Sequence, residues 1–468
     1  MMVVLAGMGC PDGVRARGQA VAPPQPTAIN GGHWPTERVE LLDGRQYVGW
    51  IESEDDAWVN LVQIHRKAGQ PMHLVIRPIE RKRVAAVVRL PPAERDLLHR
   101  RIEQFINRAP IEAGRMDAVQ LAPLQQDGSR FQHYRGKWCA LDSTVDEPTT
   151  RRIVVRVEQV FTAYRQVLPP RVEPRHTLRL LIFGSPEEYH AHLDRLGLKL
   201  DNRACFIQDA NLVVAGSEVA RFAAEMAKVK GRHDKLRGDL DQLEKQLQQR
   251  LSNLGQQLKA QGNPPKEISR LLAIERRKFK DQMDQKQMEV KRCDRENAKL
   301  FDKVTRLMFT RLHHETFHAY LENYVYPHEN YDVPLWINEG LAVLFEGGLL
   351  ESDTLRIDAP NADALKRLKA DLSSQQPLAL AKLLAAEPAA FALPQANASA
   401  AADRYYLYAW GLVYYLTFEK HLLGSPGLND YVQKSAAASL PTERFEKLAG
   451  APLPQFEQQW RQYILALR

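Results

Sequence analysis

The sequence predicts a multidomain α+β protein: a small N-terminal β-barrel, then a mixed α/β unit with a long antiparallel coiled-coil insertion. Three observations predict it. Residues 33–90 hold short alternating apolar runs separated by turn signals. Residues 134–217 alternate helical and strand patterns, and residues 218–304 are rich in charge and carry leucines at heptad-related steps. The length of 468 residues agrees, since a prior of about 150 residues per domain asks for more than one unit.

Residues 1–32 read as a disordered or signal-like N-terminus. MMVVLAGMGC is a short apolar run, Ala20-Val21-Ala22 offers a small-x-small cleavage site, and Cys10 is a candidate for lipid attachment. The expected location is exported or periplasmic, with a lipid anchor as a further possibility and the cytoplasm as the alternative.

Residues 33–90 form the expected barrel. In VELLDGRQYVGWIES, Asp43-Gly44 is a turn between two alternating runs, and AWVNLVQI, MHLVIRPI and RVAAVVRL follow. Residues 91–133 read as a helix and linker. Pro91-Pro92 closes the strands, AERDLLHRRIEQFINR has helical spacing, and the polar stretch 109–130 is expected to be irregular.

In residues 134–217, IVVRVEQVFTAYRQVL is an amphipathic helix ended by Pro169-Pro170, and HTLRLLIFG is a buried strand. Ser185-Pro186 caps a further helix, and CFIQDANLVVAG reads as two strands or one bent strand. In residues 218–304, Leu236, Leu240, Leu243, Leu247, Leu254 and Leu258 mark one coiled-coil arm, broken by Gly262-Asn263-Pro264-Pro265. Met283, Val290, Cys293, Leu300, Val304 and Leu307 mark the return arm, with no helix breaker before the next segment. Residues 305–468 hold two metal-site helices and a C-terminal helical lobe, with Pro441 and Pro454 as breaks.

Composition limits the function classes. Hydrophobic content of 44% and charged content of 26% are those of an ordinary globular chain. The net charge of +7 is spread along the chain, so nucleic acid is not an expected partner. No apolar stretch reaches the roughly 18 residues of a membrane span. Four cysteines form no CxxC pair, which excludes a cysteine-built zinc site. Cys139, Cys205 and Cys293 are expected to be small buried thiols, although Cys139 and Cys205 would pair in an oxidising compartment.

The chemistry lies in LMFTRLHHETFHAYLENYVYPHENYDVPLWINEGLAVLFEG. His314-Glu315-Thr316-Phe317-His318 matches HExxH. Residues four apart on a helix share a face, so both imidazoles can grip one Zn²⁺ while Glu315 serves as general base toward water on the open position. Leu321 and Tyr324 stand where a metzincin needs Gly and His, which excludes that subclass. The third ligand is then Glu339, in Pro334-Leu335-Trp336-Ile337-Asn338-Glu339-Gly340, on a second helix that follows the turn-rich YVYPHENYDVP. Glu322, His328, Glu329 and Asp332 read as surface or turn residues and His313 as structural, while Glu346, two turns beyond Glu339, reads as exposed, with a support behind the ligands as the alternative.

HExxH with the downstream LWINEG-LA resembles the thermolysin and aminopeptidase-N clan of zinc peptidases, the gluzincins. It is most similar to bacterial peptidase MA-like domains of unknown function. About 40 residues resemble these closely, and 134–216 and 305–465 more loosely. The resemblance implies zinc held by His314, His318 and Glu339, base catalysis by Glu315, and a peptide or protein substrate. It also implies an electrophilic Tyr or His from a later helix, for which Tyr405, Tyr406 and Tyr408 are available and Tyr408 is preferred. By the same analogy Asn211–Val214 is the edge strand that pairs with substrate. The chain lacks the Gly-x-Met-Glu-Asn motif of aminopeptidases, so endopeptidase action is expected.

The DGR…GWI run with its acidic turn resembles Sm-like and SH3-like barrels, which leaves RNA binding as a third, weaker reading. The main alternative to a peptidase is a non-catalytic zinc-containing scaffold that binds protein partners, or a second copy of itself, through barrel and coiled coil.

Overall fold

The computed structural model describes residues 34–467 except 127, 175, 201, 352–353, 358, 392–399 and 436–438. The expectations for Cys10 and for Ala20–Ala22 lie outside the described residues.

Five strands come first: β1 (Glu37–Leu41), β2 (Gln46–Glu54), β3 (Trp58–His65), β4 (His73–Glu80) and β5 (Val84–Val88). They form one antiparallel sheet in the order β4-β3-β2-β1-β5, which corrects the expected barrel. The sheet is open, because β4 and β5 are neighbours in the chain yet lie on opposite edges. Pro78 in β4 has no backbone N–H to give a closing partner, a property of edge strands. Ile76 on the same strand is 72% exposed. Val39, Ile51, Val59 and Leu61 bury one face. The fully buried Glu37 carboxylate accepts from Ile51 N at 2.6 Å and from Arg95 Nε at 3.0 Å. That contact ties the sheet to α1 (Pro92–Ile106).

The stretch expected to be irregular is ordered. It forms α2 (Arg108–Ala118), β6 (Ala122–Gln126) and β7 (Ser129–Arg135). Gly128, at φ +76°, makes the β6–β7 turn. Arg151 takes the carbonyls of Met116, Asp117 and Val119, satisfying the end of α2. Arg151 lies in α3 (Glu147–Val167), which follows β8 (Cys139–Ser143). Next come β9 (Leu178–Phe183), α4 (Pro186–Arg195), β10 (Ala204–Ile207) and β11 (Leu212–Gly216). The second sheet has the order β10-β11-β9-β8-β7-β6, with β8, β9 and β11 parallel. β10 is therefore the edge strand. Asn211–Val214, expected at the edge, lead into the interior strand β11, a second correction. Asn211, at φ +46°, makes the reversal between the two strands.

Two long helices follow, α5 (Val219–Ala260) and α6 (Pro265–Tyr320). They pair as a hairpin, but the expected long coiled coil is not what forms. Along the paired arms, away from the core, the described buried apolar side chains are Leu240, Leu251 and Leu258 on α5, and Ile268, Phe279 and Val290 on α6. Leu236, Leu243, Leu247 and Leu254 are only half-buried. Eleven-residue steps separate Ile268 from Phe279 and Phe279 from Val290. Such a step, about 3.67 residues per turn, does not impose the left-handed supercoil that heptads impose. The side chains of Leu300, Val304 and Leu307 lie outside the described set. α6 runs unbroken through the HExxH segment.

The remainder is α7 (Leu335–Glu346), the hairpin β12 (Leu349–Glu351) and β13 (Thr354–Arg356), then α8 (Ala362–Leu372), α9 (Leu380–Leu384) and α10 (Pro388–Phe391). The chain ends with α11 (Ala400–Phe418), α12 (Pro426–Tyr431), α13 (Pro441–Ala449) and α14 (Leu453–Ala466). Pro441 and Pro454 lie in the first turns of α13 and α14, where a missing N–H costs nothing. One core joins α3, one face of the second sheet, the end of α6, α7 and α11. No described helix is long and apolar enough to cross a membrane. Cys139, Cys205 and Cys293 are unpaired thiols.

Candidate metal centre

Two helices build the site. Near the end of α6, His314 and His318 stand one turn apart, with ring centroids separated by 4.7 Å. Phe317 and Tyr320, fully buried, hold this end of α6 against Phe161 and Tyr164 of α3. Tyr164 also donates to the His313 carbonyl at 2.6 Å. His313 is structural as expected, and burial pushes its pKa down to about 3.

α7 brings the third group. Pro334 starts it, and Trp336 and Ile337 anchor it in the core. Gly340 lets it press on α11, since a Cβ there would sit 2.6 Å from the Ala409 carbonyl oxygen. Glu339, one residue earlier, then reaches both imidazoles. Its Oε2 is 3.3 Å from His314 Nε2 and 3.6 Å from His318 Nε2. One donor atom from each of the three residues lies within 4.8 Å of the others, so the group could hold a metal ion. Glu322, His328, Glu329 and Asp332 are not members. Glu322 accepts from His328, and Asp332 pairs with Arg444 at 3.1 Å.

Both imidazoles are oriented from behind. His314 Nδ1 meets Glu346 Oε2 at 3.0 Å, and His318 Nδ1 meets Asn338 Oδ1 at 2.8 Å. An acceptor on each Nδ1 puts the proton there and turns the Nε2 lone pair toward Glu339. Glu346, expected on an exposed face, is instead one of these supports. It lies two turns beyond Glu339 on α7, and that spacing was the available signal. Asn338 is adjacent to Glu339, and nothing in its position alone marked it.

The electrostatics fit a cation site. Glu339 Oε2 is buried with no hydrogen-bond partner, a costly state for a carboxylate oxygen. Burial raises the Glu339 pKa, but the charge of His318 and the contacts with His314 outweigh it and hold the carboxyl below its ordinary value. Burial lowers His314, yet Glu339 and Glu346 prevail and lift it to about 10. A metal cation among these atoms would serve the same carboxylates.

Glu315 Oε2 accepts from Phe206 N at 2.9 Å. It therefore lies between α6 and the edge strand β10. Tyr408 is not at the site. It is fully buried, donates to Asp371 Oδ2 at 2.6 Å and accepts from Leu378 N at 3.1 Å. Two residues earlier on α11 stands Tyr406. Burial raises the Tyr406 phenol, and the negative charges of Glu339, Glu315 and Glu346 raise it further. Its hydroxyl donates to the Phe391 carbonyl at 3.1 Å.

No curated protein matches this chain. Residues 309–437 match the family model described as "Protein of unknown function (DUF1570)", a stretch that includes His314, His318, Glu339 and their supports Asn338 and Glu346.

Proposed function

We propose that the chain is a zinc-dependent peptidase that hydrolyses peptide bonds with Glu315 as general base. The observation that carries this reading is the convergence of His314 Nε2 and His318 Nε2 on the buried Oε2 of Glu339. Two donors bound tetrahedrally at about 2.0–2.1 Å stand about 3.3–3.4 Å apart, close to the 3.3 and 3.6 Å found. Two imidazoles and one carboxylate are a donor set that suits zinc and leaves one position open.

A zinc ion held there would supply Lewis-acid activation of water and of a carbonyl. Glu315 precedes His318 by three residues on the same helix and takes a proton at Oε2. β10 is an edge of the second sheet beside Glu315, which holds the Phe206 N–H. An extended peptide can add to such an edge by backbone hydrogen bonds. The Tyr406 phenol is held protonated by burial and the nearby carboxylates, and would serve a developing oxyanion by exchanging its bond to the Phe391 carbonyl.

The test is metal content with peptidase activity on a mixed peptide pool, for the wild type and Glu315→Gln. About one zinc per chain in both, with cleavage in the wild type alone, is the expected result. Zinc in both with cleavage in neither would favour a zinc-containing scaffold. Zinc in neither would remove the His314–His318–Glu339 assignment.

A further inference from the structure

The metal-site helix carries one further charged group in the row of the ligands. Arg311 precedes His314 by three residues, Glu315 by four and His318 by seven on α6. Each of these steps returns to one helix face, so Arg311 stands one turn upstream in that row. Its side chain is partly buried. Tyr406 on α11 reports on the same neighbourhood. Burial sets its phenol high, Glu339 and Glu315 raise it further, Arg311 lowers it, and Glu346 raises it.

The three carboxylates of this group are engaged. Glu339 faces both imidazoles, Glu346 meets His314 Nδ1 at 3.0 Å, and Glu315 accepts from Phe206 N at 2.9 Å. Arg311 makes no hydrogen bond or ion pair among the described residues, not even with Glu315 one turn on. A guanidinium stays charged at any working pH, and a charge held partly out of water without a counter-ion is unfavourable. Its planar fork matches a carboxylate through two parallel N–H bonds. With a divalent cation on the triad, the metal and Arg311 together balance Glu315, Glu339 and Glu346, so an arriving anion meets no net negative field.

We propose that Arg311 is a specificity-determining residue that binds a carboxylate of the substrate peptide. This rests on the peptidase reading and narrows the substrate class to peptides with a carboxylate near the scissile bond, from an acidic side chain or from the C-terminus. One helical turn is about 5.4 Å and one extended residue about 3.3 Å, which places that carboxylate within about two residues of the bond cut.

The test reads binding rather than turnover. Full-length, metal-loaded protein carrying Glu315→Gln is titrated calorimetrically at pH 7.5 with acetylated alanine hexapeptides. One is a neutral C-terminal amide, one has a free C-terminal carboxylate, and six are amides with a single glutamate at each position in turn. At least one anionic peptide should bind at least tenfold more tightly than the neutral one, and its identity tells C-terminus from side chain. Adding Arg311→Gln should reduce that preference below threefold, and Arg311→Lys, which keeps the charge without the fork, should retain part of it, with zinc content and far-UV circular dichroism unchanged. Equal affinity for all the peptides, or binding of none, would overturn the proposal. So would a preference that survives Arg311→Gln, which would put the carboxylate on the metal, and a loss shared equally by neutral and anionic peptides, which would make Arg311 structural. Wild-type protein that cleaves nothing yet keeps the Arg311-dependent preference would remove the peptidase reading and leave the carboxylate site standing.

Discussion

Glu346→Ala is the sharpest probe of the candidate metal centre, because it removes none of the three ligands and acts only through His314. The carboxylate is 3.0 Å from His314 Nδ1, and the imidazole it meets is buried. Its removal leaves Nδ1 without an acceptor and the ring free to take the other tautomer or to turn. A hydrogen bond to a charged group is worth about 1.5–3 kcal/mol. At about 1.4 kcal/mol per tenfold, that amounts to about 10–100-fold in metal affinity, the range seen for outer supports of ligating histidines. Glu346→Gln retains an acceptor oxygen at the same place and should cost about threefold or less. The assay is competition for Zn²⁺ with a chromophoric chelator at pH 7.5, for both variants and for Asn338→Ala, which removes the 2.8 Å support of His318. Glu346→Ala within twofold of the wild type would refute the argument that Glu346 fixes the tautomer of His314.

Three further outcomes are expected. Gly340→Ala places a Cβ 2.6 Å from the Ala409 carbonyl oxygen. The helix gains about 1 kcal/mol from alanine and loses about 1–3 to overpacking, so urea denaturation should show no gain and up to about 2 kcal/mol of loss. A more stable variant would contradict the tight contact of α7 and α11. In metal-free protein the His314 pKa is raised to about 10, so its stabilising effect is complete below about 6.5 and lost as pH rises through about 10. Urea midpoints in chelator should fall from pH 6.5 to 9.5, and His314→Gln should flatten that fall; parallel curves would reject the assignment. Tyr408→Phe should cost about 1 kcal/mol of stability, through lost bonds to Asp371 and Leu378, and leave kcat unchanged. Tyr406→Phe should lower kcat by about 10²-fold. The opposite pattern would restore Tyr408 to the site.

The triad was legible because it is written in local spacing. His314 and His318 share a helix face at any tertiary fold, and Pro334 begins the helix that carries Glu339. The alternation of helix and strand in residues 134–217 was legible for the same reason. Where spacing is ambiguous, the reading went astray. Leucines at three- and four-residue steps fit a heptad seam, but the buried positions on the α6 arm, Ile268, Phe279 and Val290, recur at eleven. Residues 109–130 lack strong periodicity, and their order depends on Arg151, which reaches back from α3 to the end of α2.

By itself the sequence determined the metal-site helices, their starts, and the three residues whose donor atoms converge. Tertiary structure alone decided that the first sheet stays open, that β10 is the edge beside Glu315, and that Tyr406 rather than Tyr408 feels the acidic cluster. It also decided that Glu346 and Asn338 stand behind the histidines. The physical reason is common to all four. A backbone period says which side chains share a face, because that follows from bonds between near neighbours. Which partner each face meets depends on contacts between residues far apart in the chain, and only the packed fold brings those together.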